Sequence, residues 1–264
     1  MRRHPTLAAM ALLLAGCLSS PASPAPSTAS PAPSDERPAV EPLRYVAMGD
    51  SYTIGDELPR QVDRWPNQLV RALRPEVQLQ LVDNLAGQSH GTTDVIEMQL
   101  PVLEELDADL VSLQVGVNDV VISRLTDEEY RANLLEILDG VDAGDPIDPT
   151  AGIAGASLTP PRAGILDLVT PDRLFLVTTP DYTLAPDRRF DRPDAAARVA
   201  RFNEILRELA AERSVAVVDI APISDMVARD PTLITADGLH ASAKQYAGWV
   251  ELIAPVVRGL VAAA

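Results

Sequence analysis

The chain has 264 residues, 47% of them hydrophobic and 23% charged, a composition that supports one sizeable buried core and excludes a wholly disordered chain. Asp and Glu number 38 against 22 Lys and Arg, a formal net charge of −16, so net charge offers no basic footprint for nucleic acid or an anionic membrane surface. One cysteine, Cys17, excludes a disulfide framework within the chain.

The N-terminus carries Arg2 and Arg3 ahead of an apolar run, Leu7 to Leu14, that is too short to span a bilayer and reads as an export signal over residues 1–16. Leu14-Ala15-Gly16-Cys17 resembles a bacterial lipobox. That resemblance implies cleavage before Cys17 and acylation of its thiol and new amine, hence an extracytoplasmic protein lipid-anchored to the cell envelope. An ordinary secretory signal ending near a cysteine is the other reading of the same residues. Residues 17–42 are dominated by Pro, Ser and Ala without apolar periodicity, which marks a tether. In extended form, at about 3.1 Å per residue, it would hold a domain up to roughly 75 Å from the anchor. The folded domain is expected over residues 43–264.

From there, short apolar runs alternate with segments of helical spacing, the pattern of a parallel α/β sheet. Five strands are predicted: Arg44–Met48, Gln78–Val82, Leu110–Val115, Arg173–Thr178 and Val215–Asp219. Helices are predicted over Asp63–Leu73, Thr93–Leu106, Asp127–Leu138, Asp194–Glu212 and Ser242–Val261, with Asp127, Asp194 and Ser242 as N-caps. The stretch Gly140–Gly164 is too long for an ordinary connection and reads as a functional loop or lid, or as a surface insertion.

Open α/β sheets place their chemistry at the carboxyl ends of strands. Those positions hold Gly49-Asp50-Ser51-Tyr52-Thr53, Asn84-Leu85-Ala86-Gly87 and Gly116-Val117-Asn118-Asp119, and Asp237-Gly238-Leu239-His240 follows near the C-terminus. A serine hydroxyl needs an adjacent base to become a nucleophile. His4 leaves with the signal, so His90 and His240 remain, and Asp237, three residues before His240, can accept a hydrogen bond from its Nδ1, fix the tautomer and leave Nε2 to act. A tetrahedral oxyanion needs donors, for which the Gly87 N–H, the Asn118 carboxamide and the Ser51 N–H are candidates. Each of these segments taken singly also fits a turn or a helix cap.

In this order the four segments resemble the GDSL/SGNH hydrolase family: Gly49-Asp50-Ser51, Gly87, Gly116-x-Asn118-Asp119 and Asp237-x-x-His240, across about Arg44 to Val261. The resemblance implies a three-layer α/β/α, flavodoxin-like fold with a five-stranded parallel sheet. It implies Ser51 as nucleophile, His240 as general base and then acid, Asp237 as its orienting carboxylate, and Ser51 N–H, Gly87 N–H and Asn118 as oxyanion hole. Neither a metal nor an organic cofactor is implied. Tyr52 stands where the family name has leucine, which leaves one wall of the acyl site open.

A second motif competes, because Gly87-Gln88-Ser89-His90-Gly91 satisfies the G-x-S-x-G of a nucleophile elbow. Only about 45 residues of the expected domain precede Ser89, room for two strands, and no HGGG-like segment is present. Ser51 is therefore preferred, and His90 reads as a rim or substrate-contact residue. The sequence has no H-E-x-x-H, no Cys pair, no G-x-x-x-x-G-K-[ST] and no G-x-G-x-x-G, so metal and nucleotide chemistry have no motif here. No spacing among its acids singles out a glycosidase pair. The expected activity is hydrolysis of a carboxylic ester, whether a lysophospholipid, a short or medium acyl ester or a carbohydrate O-acetyl ester, with the membrane as partner through the anchor. The alternative is a non-catalytic surface lipoprotein that binds a glycan or a protein on the same rim.

Overall fold

The computed structural model describes residues 41–74, 76–141 and 162–262. The expected signal, Cys17, the expected tether up to residue 40 and most of Gly140–Gly164 lie outside them. All five expected strands form: β1 (Leu43–Gly49), β2 (Leu79–Asn84), β3 (Leu110–Gln114), β4 (Leu174–Val177) and β5 (Ala216–Val218). They pair in parallel in the order β2-β1-β3-β4-β5. β3 and β4 are buried at every position, as a strand covered on both faces must be, whereas the edge strands β2 and β5 are partly exposed. Ser112 in β3 is satisfied across the sheet by the Tyr45 hydroxyl at 2.8 Å.

The helices are α1 (Ser51–Ile54), α2 (Trp65–Leu73), α3 (Thr92–Asp94), α4 (Leu100–Leu103), α5 (Asp127–Asp139), α6 (Ile165–Leu168), α7 (Ala195–Glu212), α8 (Ala221–Ser224) and α9 (Ala243–Ala262). α2 packs with α9, while α5 packs with α7 and with the turns around α3, which makes a helical layer on each face of the sheet. α9 turns Tyr246, Trp249, Ile253 and Val257 into the core at three- and four-residue spacing. The fold class is thus the expected three-layer α/β/α.

Local chemistry moves several helix ends. Thr126, not Asp127, caps α5: its hydroxyl accepts from Glu129 N at 3.2 Å and the Glu129 carboxylate accepts from Thr126 N at 2.7 Å. Asp194 precedes α7 without a side-chain cap bond, whereas the Ser242 hydroxyl accepts from Gln245 N at 3.3 Å. The helix expected over Thr93–Leu106 is α3, a wide π turn (Val95–Gln99) and α4 in succession. The wide turn stands just ahead of Pro101, whose ring crowds the carbonyl four residues earlier and offers it no N–H.

α5 starts at the carboxyl rim after β3 and runs back to the opposite end of the sheet. There Val141 and Arg162 bridge through paired backbone bonds of 2.9 and 3.1 Å, and Arg162 meets Glu136 at 2.6 Å. The long insertion therefore leaves and re-enters the domain through one closed neck at the amino end of the sheet, away from the rim that carries the motifs.

The Tyr130 and Phe202 rings stack at 4.0 Å and 3°, joining α5 to α7 with both side chains buried. Phe202→Ala should destabilise the domain by about 3–5 kcal/mol through the cavity it leaves, measured by urea denaturation of the full-length chain. A loss below about 1 kcal/mol would mean that the layer closes over the gap.

Candidate active site

In this strand order β1 and β3 flank the point where the chain reverses direction across the sheet, the place where open α/β sheets form a crevice. β1 reaches it through Gly49, whose φ of +146° is closed to other residues. A Cβ there would stand 2.2 Å from the Gln114 carbonyl oxygen. The buried Gln99 side chain grips the same glycine, with Oε1 accepting from Gly49 N at 2.9 Å and Nε2 donating to Gly49 O at 2.8 Å. Asp50 caps the next turn by accepting from Tyr52 N at 2.9 Å, and Ser51 opens α1. Its N–H is one of the donors that a helix start leaves without an intrahelical partner.

His240 approaches from the other end of the chain. Thr235–His240 is a tight turn closed by Thr235 N donating to His240 O at 2.8 Å, with Gly238 at φ +79°. Asp237 Oδ1 accepts from Thr235 Oγ1, Leu239 N and His240 N at 2.6, 2.9 and 3.0 Å, and its Oδ2 lies 2.5 Å from His240 Nδ1. Burial would raise the Asp237 pKa, but these hydrogen bonds outweigh it and hold the carboxyl at about 2. An ionised carboxylate only accepts, so Nδ1 carries the proton and Nε2 presents a lone pair. Nε2 stands 3.0 Å from Ser51 Oγ. The three side chains form a continuous chain able to move a proton from hydroxyl to imidazole.

Ser51, Asn118 and His240 line one cavity of about 210 Å³. Its other walls are largely apolar: Val117, Val121, Ile122, Tyr182, Phe190 and Leu239. Tyr52 is buried and tilts against the His240 ring at 5.5 Å, and its hydroxyl donates to Leu239 O at 3.4 Å. The residue that replaces the family's leucine thus braces the histidine from below.

The remaining predicted residues divide. Asn118 Nδ2 donates one hydrogen to His90 O at 2.8 Å and has a second to offer. Gly87 lies just behind the cavity wall, its N–H donating to Gly49 O at a long 3.3 Å. His90 is half-buried and does not line the cavity: Gln99 Nε2 donates to its Nδ1 at 2.9 Å, and the ring lies where a Cβ on Gly87 would go, 2.2 Å away. Its role is to hold Gly87 and the π turn together. Ser89 sits exposed at the cavity mouth with φ +62°, and among the described residues no imidazole nitrogen bonds its hydroxyl.

A family model for the GDSL-like lipase/acylhydrolase family matches residues 47–247, most of the chain and all four motif segments. The chain belongs to this family. It is therefore a GDSL-family hydrolase that acts on ester bonds. Solved structures with the same fold include the lipase/acylhydrolase from Enterococcus faecalis, 20% identical, covering 82% of this chain and 96% of that one at a TM-score of 0.54. The acetylxylan esterase Axe2 from Geobacillus stearothermophilus is 15% identical, with 81% and 94% covered and a TM-score of 0.56. A lipolytic G-D-S-L family protein from Veillonella parvula is 14% identical, with 84% and 100% covered at 0.56. Among curated protein sequences, none matches this chain.

In this GDSL-like hydrolase two motif aspartates do structural work behind the site. Asp119 is buried and its carboxylate accepts from Thr92 N at 2.9 Å and Thr92 Oγ1 at 2.6 Å, which ties the segment after β3 to the start of α3. Asp50 is wholly buried, and its Oδ2 finds no hydrogen-bond partner among the described residues. Burial first, and the Asp119 charge in addition, push the Asp50 carboxyl up to about 7 against opposing backbone hydrogen bonds, that from Tyr52 N foremost.

Asp50 gives a sign for the pH dependence of stability. The unfolded chain releases this proton near its ordinary value of 3.8, and the folded chain keeps it until about 7. Between those values the native state binds more protons, so its stability falls as pH rises. Asp50→Asn has no proton to lose, and its melting temperature should climb relative to wild type from about pH 4 to about pH 8. Parallel melting curves over that range would show a carboxylate already charged in the fold.

Proposed function

We propose that this chain is a serine esterase that cleaves a carboxylic ester through an acyl-enzyme on Ser51, outside the cytoplasm, on a lipid anchor at Cys17. The observation that carries the reading is the unbroken line Asp237 Oδ2, His240 Nδ1, His240 Nε2, Ser51 Oγ at 2.5 and 3.0 Å. Ser51 Oγ attacks the carbonyl carbon while its proton passes to Nε2. The carbonyl electron pair becomes an oxyanion, met by the Ser51 N–H, the second Asn118 N–H and the Gly87 N–H, whose present bond to Gly49 O is long enough to share. Collapse of the intermediate expels the alcohol oxygen, which takes the Nε2 proton. Water repeats the sequence on the acyl-enzyme and releases the acid. Asp237, ionised far below neutral pH, fixes the tautomer and stabilises the imidazolium formed on the way.

The apolar walls supply the acyl side of the substrate, a short or medium chain. A lysophospholipid, a simple acyl ester and an O-acetylated carbohydrate all offer such a group. The leader and tether fit a substrate met outside the cell membrane, and the lipobox resemblance supports the anchor.

With p-nitrophenyl esters from acetyl to dodecanoyl, Ser51→Ala in the full-length chain should lose at least ~10⁴-fold in turnover, because serine and histidine act as a unit. Ser89→Ala should stay within a few-fold of wild type. Equal activity in both variants would remove Ser51 from the chemistry. For the anchor, a fatty-acid analogue fed to a bacterial host should label the wild-type protein and not Cys17→Ser; an unlabelled wild type would overturn it.

A further inference from the structure

Asp56 takes no part in the steps above, yet its carboxylate stands beside the reacting atoms. Gly55 ends α1 with φ +72° and turns the chain back toward the site, so that Asp56 Oδ2 lies 3.9 Å from His240 Nε2. Gln88 Nε2 donates to Oδ2 at 2.9 Å and Glu57 N to Oδ1 at 3.1 Å, which hold the group in place. Each carboxylate oxygen retains a further accepting site. The side chain is about a quarter exposed and open to a ligand.

Around it lies a groove of about 460 Å³, lined by Asp56, Glu57, Arg64 and Gln88 together with the apolar Ile54, Leu58 and Pro59. Gln88 belongs to both spaces and marks where they meet. The Ser51 cavity is largely apolar, with Gln88, Ser89, Asn118 and Arg189 as its polar lining, whereas the groove beside Asp56 is mixed and adds the Asp56 and Glu57 carboxylates.

The chemistry decides which half of the ester lies on the Asp56 side. The departing alcohol oxygen takes its proton from Nε2, so it sits at hydrogen-bond distance, about 3 Å, from that atom. Asp56 Oδ2 is less than 1 Å farther from Nε2 than such a contact. A hydroxyl on the neighbouring carbon of the alcohol falls within its reach, whereas the acyl carbons lead away on the far side of Ser51.

We propose that Asp56 is a specificity-determining residue that accepts a hydrogen bond from a hydroxyl vicinal to the scissile ester, so that the alcohol half of the substrate is a partly acylated polyol. The inference rests on the serine-esterase reading and names the substrate class of the same site. Asp56 binds the alcohol; Gln88 orients the carboxylate and is a positioning residue.

The test uses two esters of matched size, 2-hydroxyethyl butanoate and propyl butanoate, which differ by a hydroxyl in place of a methyl. Wild type should favour the hydroxyl ester in kcat/KM by on the order of tenfold, the usual worth of a bond to a charged acceptor. Asp56→Ala should bring that ratio near one. Asp56→Asn keeps the partner of Gln88 and a neutral acceptor, and should fall between them. This variant carries the test if the alanine protein does not fold. A wild-type ratio near one, or an equal loss on both esters in the variants, would overturn the proposal, because a field effect on His240 or a structural fault moves both substrates alike. Glycerol monobutanoate and a methyl pyranoside monobutanoate, run through the same variants, tell an acyclic from a cyclic diol. Asp56 dependence on at least one is expected, and on neither would sink the assignment. Hydrolysis that survives Ser51→Ala is a separate result, the failure of the serine reading itself.

Discussion

The site depends on how β1 ends. A strand buried in the middle of a parallel sheet must deliver its next residue into the crevice beside β3, and the only backbone that does so here passes through Gly49 at φ +146°, against the Gln114 carbonyl. The Gln99 amide then fixes both polar atoms of that peptide position and, with the same nitrogen, the His90 ring that covers Gly87. One buried side chain thus sets the spacing between the serine turn and the glycine loop. The π turn before Pro101 places Gln99 at this junction, so a helix irregularity becomes part of the site's frame.

Three carboxylates of the motif segments show how environment decides ionisation. Asp237 gathers donors from a hydroxyl, two backbone N–H groups and an imidazole, which overcome the cost of burial and keep it charged. Asp50 has only backbone donors and an orphan oxygen, so burial wins. Asp119 lies between: it has hydroxyl and backbone partners, yet desolvation still raises it. A charged Asp237 is what orients His240, while Asp50, raised to about 7, keeps its proton through the acidic range.

The two serines of the rim differ in partners more than in position. Ser51 and Ser89 line the same cavity, and Ser89 has the left-handed backbone expected of a nucleophile elbow. What separates them is the imidazole: His240 faces Ser51, while the nearer His90 has its Nδ1 committed to Gln99. A neighbour in sequence supplies no base when its ring nitrogen already serves the frame.

The sequence by itself determined the strands, the layer architecture and the residues of the proton chain. The strands are short apolar runs and Asp-x-x-His lies within a single turn, so periodicity and spacing were enough for those; the layers and the choice of Ser51 came from the resemblance of the four motif segments to the GDSL/SGNH family. Helix starts were less legible, because Thr126 and Asp127 are equally good caps on paper and only the reciprocal bond with Glu129 chooses between them. Tertiary structure decided what distance along the chain conceals. It placed Asp56 and Gln88, 32 residues apart, on one carboxylate-amide pair at the leaving side of Ser51. It also turned the His90 ring to Gln99, and set the closed neck of the long insertion at the far end of the sheet. These outcomes follow from which groups a buried crevice must satisfy, and that demand exists only once the strands have come together.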